Sequence, residues 1–216
     1  MNNSIIKNYI NHIENSISKA LIEKSKLSVE ILSIEGMSSS KVRHFLNNLL
    51  ELDNVKYLEI GVWLGSTFIS SMYKNKPIQA HAIDNFCENF GMSPCRELFH
   101  AFCKSFIDDK LYTFIDNDSF TVDLSNIKFP INIYFYDGNH SEESQEKALT
   151  YYDNILDDIF IFLVDDYNYK STRIGTKNGI KKMGYKIEYE QVLESGACDP
   201  KSWWNGFYIA VLSKPK

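Results

Sequence analysis

Between Ile5 and Ile22 apolar side chains recur at Ile6, Tyr9, Ile10, Ile13, Ile17 and Leu21, a spacing of three and four that predicts an amphipathic helix. A second helix is expected over Lys41–Leu52, with Val42, Phe45, Leu46, Leu49 and Leu50 on its apolar side and Ser38–Ser40 as N-cap candidates. The stretch Leu27–Gly36 between them has no clear period. After Asp53 the texture changes to short apolar runs separated by helical segments. Strands are predicted at Tyr57–Val62, Ile78–Asp84, Tyr112–Asp116, Ile131–Asp137 and Ile159–Asp165, with helical material such as Glu142–Asn154 in the gaps. Ile133–Tyr136 and Ile159–Val164 are apolar without alternation, as central parallel strands covered on both faces should be.

The last two runs, Tyr185–Leu193 and Phe207–Ser213, have a loop but no helix between them, so they should pair antiparallel. The expected fold is α/β: a Rossmann-like, doubly wound, mostly parallel seven-stranded sheet ending in an antiparallel hairpin. The division read from the texture is an N-terminal helical extension over 1–53 and a cofactor-binding domain over 54–216.

Bulk properties narrow the function classes. The formal net charge is −5, and no basic run is longer than the pair Lys181-Lys182, which argues against a nucleic-acid binder. Polar residues interrupt the N-terminus every few positions, so no signal-peptide core is present, and no apolar stretch is long enough to span a bilayer. The cysteines at 87, 95, 103 and 198 form no C-x-x-C pair and fit free thiols in a reducing compartment. Cys95 and Cys103 are expected on one helix. These features suit a cytoplasmic protein without a membrane partner and are compatible with a homo-oligomer.

In an open α/β sheet, ligands sit beyond the carboxyl ends of the strands, so the residues ending each run carry the functional information. The first run continues as Glu59-Ile60-Gly61-Val62-Trp63-Leu64-Gly65-Ser66-Thr67. Gly61 and Gly65 would let the backbone turn tightly, and a helix starting near Ser66 would aim its amides at a ligand. Taken alone, a G-x-x-x-G is equally a structural turn. The second run ends at Asp84, placed for ribose hydroxyls, and strand, glycines, helix and acid together favour a nucleoside-containing cofactor.

Glu59-x-Gly61-x-x-x-Gly65 followed by Ile83-Asp84 resembles the first two motifs of class I S-adenosylmethionine-dependent methyltransferases, and the likeness runs from Val55 to Lys214. The resemblance implies S-adenosylmethionine as cofactor, with Glu59, Gly61, Gly65, Ser66 and Asp84 around it. Asn117-Asp118-Ser119 resembles the family's adenine-contacting segment, which adds Asp118 and Ser119. The terminal hairpin is that family's topology and argues against a nicotinamide-dependent dehydrogenase.

The fourth and fifth runs end in Asp137-Gly138-Asn139-His140 and Asp165-Asp166-Tyr167. Any one of these aspartates could merely cap a turn. If the strands are neighbours, three carboxylates meet at one edge, and a hard divalent cation would relieve their repulsion. Asp137, Asp165 and Asp166 are therefore metal-ligand candidates, with Mg²⁺ the best fit, and Asp137 also adjoins the cofactor. The pattern resembles the metal-dependent O-methyltransferase branch, nearest to the macrocin O-methyltransferase type, which implies methylation of a small-molecule hydroxyl such as that of a sugar or secondary metabolite. Some relatives carry Asp two residues after the first ligand; here Asn139 cannot act as a base. His140 matches the histidine other relatives use, and imidazole suits proton transfer at neutral pH. The loop Glu194–Asn205, with Trp203 and Trp204, and the aromatic-rich segment Phe86–Phe106 are candidates for the acceptor side. A domain of this fold that binds cofactor without turnover, or a NAD-dependent oxidoreductase, are the competing readings.

Overall fold

A computed structural model describes residues 2–88, 90–91, 93–127 and 130–215. Three helices come first: α1 (Asn2–Leu21), the single turn α2 (Val29–Leu32) and α3 (Ser40–Leu49). Ser39 caps α3, its Oγ accepting from the Val42 amide. The remainder alternates as β1 (Lys56–Ile60), α4 (Ser66–Met72), β2 (Gln79–Asp84), α5 (Cys95–Phe106), β3 (Thr113–Asp116), β4 (Ile131–Tyr136), α6 (Glu142–Thr150), β5 (Leu156–Val164) and α7 (Lys170–Met183). It closes with β6 (Lys186–Leu193) and β7 (Phe207–Ser213).

The seven strands form one sheet in the order β3-β2-β1-β4-β5-β7-β6, parallel except for β7, which runs antiparallel to both β5 and β6. This is the doubly wound sheet with a terminal hairpin that the sequence predicts. Boundaries moved slightly: β5 starts three residues early, and the helix expected over Glu142–Asn154 ends at Thr150 and gives way to a short 3₁₀ turn. Leu27–Gly36, without period in the sequence, holds only α2.

Strand alternation sorts the interior into two layers. Tyr57, Ile133, Phe135, Ile161, Leu163 and Ile209 face one side with α1, α3, α4 and α5, while Leu58, Tyr134, Tyr136, Phe160 and Phe162 face the other with α6 and α7. Burial on both faces explains why β4 and β5 lack an alternating pattern.

Residues 2–53 supply part of the first layer. Ile13 and Ile17 of α1 and Phe45 and Leu49 of α3 belong to the same apolar cluster as the sheet. The buried Arg43 ties this segment to α4, its Nε donating to Ser70 Oγ and Nη1 to the carbonyls of Leu32 and Ile34. Among the described residues no helix is long and apolar enough to cross a membrane.

Candidate active site

Sheet register lines up the chemistry. Ile60 pairs with Ile83 on one side and Tyr136 on the other, and Tyr136 pairs with Val164. The next residue of each strand therefore falls into one row along the carboxyl edge: Asp84, Gly61, Asp137 and Asp165. Backbone hydrogen bonds extend the pairing into that row, from the Gly61 amide to Ile83 and from the Asp137 amide to Ile60, both 2.9 Å. This row floors a cavity of about 690 Å³ whose walls include Trp63, Ser66, Asp118, Ser119, Phe120, His140, Asp166, Tyr169 and Trp204.

At the β1 end, both glycines have the left-handed backbone that favours glycine, with φ of 81° at Gly61 and 85° at Gly65. A Cβ at Gly61 would stand 2.1 Å from the Asp137 carbonyl oxygen, and one at Gly65 would press on the Phe99 ring at 2.9 Å. Gly61 is thus needed where the β4 backbone approaches β1 closely, and it lines the cavity. Gly65 lies behind the wall as the residue preceding α4, and Ser66 and Thr67 of that helix face the cavity.

Asp84 fastens the glycine turn. Its Oδ2 accepts from the amides of Val62 (2.8 Å) and Trp63 (2.9 Å), and its Oδ1 from Phe86 (2.7 Å). Trp63 adopts φ of 43°, and its indole Nε1 is buried without a hydrogen-bond partner.

Glu59 is fully buried beneath this turn, where its two oxygens accept from the hydroxyls of Tyr57 and Thr67, both at 2.5 Å. Burial is the largest influence on its carboxyl and pushes it up to about 8, although both hydroxyls pull the other way. Its acid therefore holds a proton in the folded chain at pH values where the unfolded chain has lost it. That contribution to stability is complete below about pH 4.5 and is lost as pH rises through about 8. Glu59→Gln should flatten the fall in melting temperature between those limits, because the amide never ionises. Asp137 and Asp165, raised by burial, add slope of the same sign, while His81, which burial pushes down to about 4, adds slope of the opposite sign. Thermal melts across that range check this, and parallel curves for the two proteins would refute it.

On the other side of the row the carboxylates crowd together. Burial first, then Asp165 and Asp166, hold the Asp137 carboxyl well above the usual range. Asp165 is raised likewise, by burial and then by Asp166, with partial relief from the Asp166 backbone amide. Asp165 is 2% exposed, and its Oδ1 has no hydrogen-bond partner. Asp166 sits in the left-handed region at φ of 53°. Its Oδ1 accepts from Asn205 Nδ2 at 2.6 Å, and its Oδ2 lies 3.2 Å from His140 Nε2 without hydrogen-bond alignment. His140 Nε2 is also 4.0 Å from Asp137 Oδ1.

The donor chemistry of these three aspartates suits a hard divalent cation. Even so, among the described residues no group of three or more His, Cys, Asp or Glu side chains stands in metal-ligating array. The Asp166 carboxylate is turned toward Asn205 and His140 instead.

Several contributors carry no signal in the sequence pattern. Asn205 is 5% exposed and bridges Asp166 to the loop before β7, its Oδ1 accepting from the Cys198 amide at 2.6 Å. The amides of Tyr167 and Asn168 donate to the carbonyls of Gly206 and Asn205, so the loop after β5 is laced to the entry of β7. Phe120, next to the Asp118-Ser119 pair, stacks on Tyr136 with ring centroids 6.4 Å apart and forms a flat wall. Met37 brings the N-terminal segment to the rim. The two tryptophans divide their roles: Trp203 is 6% exposed and packs edge-on against Phe45, while Trp204 lines the cavity. In the Phe86–Phe106 segment, Phe86 and Phe99 pack with Phe114 under the helix, and Phe90 is exposed beside Trp63. Asn89 and Met92 of that segment lie outside the described residues. Cys95 and Cys103 are buried on α5, and Cys87 and Cys198 are exposed.

No family model and no curated protein matches the chain. Solved structures do share its fold. The O-methyltransferase TomG from Streptomyces achromogenes, involved in tomaymycin synthesis and solved with S-adenosylmethionine, superposes with a TM-score of 0.61 at 16% identity, over 92% of this chain and 89% of that one. An O-methyltransferase from Bacillus cereus in complex with S-adenosylhomocysteine gives 0.54 at 10% identity, over 94% and 91%. TrmK from M. capricolum, with S-adenosylhomocysteine, gives 0.55 at 14% identity, over 79% and 68%. At these identities the likeness establishes the fold, a Rossmann-like methyltransferase sheet.

Proposed function

We propose that the chain transfers a methyl group from S-adenosylmethionine to a hydroxyl of a small molecule, a sugar or secondary metabolite, with Mg²⁺ or a similar cation as partner. The observation that carries this reading is Asp165, which lines the cavity and whose buried Oδ1 has no partner, with a glycine turn fastened by Asp84 at the other end. Leaving such an oxygen unpaired costs stability unless a ligand meets it.

The cofactor half is built from Gly61, Ser66, Asp84, Asp118 and Ser119, with Glu59 and Gly65 supporting them from behind. Phe120 offers a face for the adenine ring, and Asp84, while holding the Val62, Trp63 and Phe86 amides, keeps one lone pair on Oδ1 for a ribose hydroxyl. Asp137, Asp165 and Asp166 would hold the cation, which when bound would polarise the acceptor oxygen. Asn205 keeps Asp166 turned toward the cavity. His140, beside Asp166, takes the hydroxyl proton onto an imidazole nitrogen. Trp204 and Tyr169 hold the acceptor ring against the open side, which orients its oxygen and excludes water.

Calorimetry with S-adenosylhomocysteine in the presence and absence of Mg²⁺, followed by labelled methyl transfer to sugar and catechol panels, tests this reading. Binding of S-adenosylhomocysteine and Mg²⁺-dependent transfer are expected. Cofactor binding without transfer to any acceptor would favour a domain that has lost turnover. Tight NAD binding without response to S-adenosylhomocysteine would overturn the reading.

A further inference from the structure

The described residues that line the cavity include no lysine and no arginine. They include six carboxylates, Asp84, Glu88, Asp118, Asp137, Asp165 and Asp166, against the one imidazole of His140. Guanidinium groups at this end of the sheet are committed elsewhere. Arg96 pairs with Asp116 and lies over the Phe86 ring, and Arg173 donates to the Tyr167 carbonyl at 2.6 Å. The acidity is not confined to a solvated rim, because Asp165, one of the lining residues, is only 2% exposed.

A concave, low-dielectric wall of one sign focuses its field on whatever enters. One divalent cation held by Asp137, Asp165 and Asp166 would still leave the carboxylates of Asp84, Glu88 and Asp118 on the cavity walls. A phosphate, carboxylate or nucleotide group on the acceptor would meet no basic side chain here. A protonated amine would find carboxylates together with the faces of Trp204 and Tyr169, which attract cations through the ring quadrupole.

We propose that the cavity selects its acceptor by charge, accepting hydroxylated small molecules that carry an amine or no charge and rejecting those that carry an anionic group. The word acceptor rests on the methyl-transfer reading above; the charge preference rests on the cavity walls alone. Glu88, exposed on the rim, sets part of the preference at the entrance without touching the row of strand-end residues.

A matched set separates charge from shape: glucosamine, glucose and glucuronate share a ring and differ in the sign they carry. Their binding is measured by ligand-observed NMR on the whole protein, with and without Mg²⁺, at low and high ionic strength. Glucosamine should bind at least about tenfold more tightly than glucuronate, with glucose between them. High salt should shrink the gap, since it screens the field, and Glu88→Lys should narrow it further while leaving the fold intact. Equal or tighter binding of glucuronate, a gap indifferent to salt, or no binding of any of the three would overturn the proposal. Calorimetry with S-adenosylhomocysteine on the same samples keeps the two readings apart. If it binds and the charge order is absent, the charge proposal fails alone. If it does not bind and the order persists, the methyl-transfer reading fails alone.

Discussion

Asp165→Asn is expected to remove Mg²⁺-dependent methyl transfer, by about three orders of magnitude or more, while making the metal-free protein more stable. Both effects come from the same oxygen. Asp165 is buried beside Asp137 and Asp166, and the carboxyls of Asp165 and Asp137 are pushed upward by burial and by their neighbours. Replacing one charge by an isosteric amide relieves that repulsion, so the melting temperature should rise at neutral pH without metal. The same change takes from the cation a hard, anionic oxygen that no protein group claims. Mg²⁺ should accordingly raise the melting temperature of the parent protein and not that of the variant. A turn-capping aspartate would behave oppositely: the variant would lose stability and keep its activity. Melting curves with and without Mg²⁺, set beside initial rates, decide between the two.

The strand ends explain how much of this was legible beforehand. Runs such as Ile131–Tyr136 and Ile159–Val164 announce buried parallel strands by their unbroken apolarity, and the polar residue that stops each run must lie at a sheet edge. Which edge residues become neighbours depends on strand order. The order β2-β1-β4-β5 places Asp84, Gly61, Asp137 and Asp165 in one row, an adjacency that the sequence pattern leaves conditional. Glycine spacing was legible in part. It marks Gly61 and Gly65 as special, but not that the Asp137 carbonyl bars a side chain at one and the Phe99 ring at the other.

Side-chain orientation was not legible. Asn205 follows two tryptophans in a loop without period, and nothing local signals that its amide spans 39 positions to reach Asp166. The orientation of Asp166 depends on that contact and on a left-handed backbone, a conformation whose cost the surrounding loop must over-determine. Sequence therefore puts each aspartate at a strand end, but it does not show that Asp166 faces Asn205 and His140. Trp203 and Trp204 make the same point. Adjacent and chemically identical, they point to opposite sides of their loop, one into the first apolar layer and one into the cavity.

His140→Ala is expected to lower kcat by a factor of about 10²–10⁴, the range over which a positioned base acts, and to leave the affinity for S-adenosylhomocysteine within about twofold. The imidazole is free to serve because it is not locked into the scaffold: Nε2 is near Asp166 Oδ2 and Asp137 Oδ1 but bonded to neither, and the side chain is 36% exposed. Removing it deletes no buried hydrogen bond, so stability should change little. A residue that only caps the start of α6 would show the reverse pattern, and that capping is already done by Ser141, whose Oγ accepts from the Ser144 amide. Proton removal is a chemical role that a small diffusible base can fill when the truncated side chain leaves room. Added imidazole should therefore restore part of the lost kcat in His140→Ala without altering KM for the cofactor. Full activity in the variant would remove His140 from the mechanism. A loss that imidazole leaves untouched, accompanied by weaker S-adenosylhomocysteine binding, would instead make its role one of shaping the cavity wall.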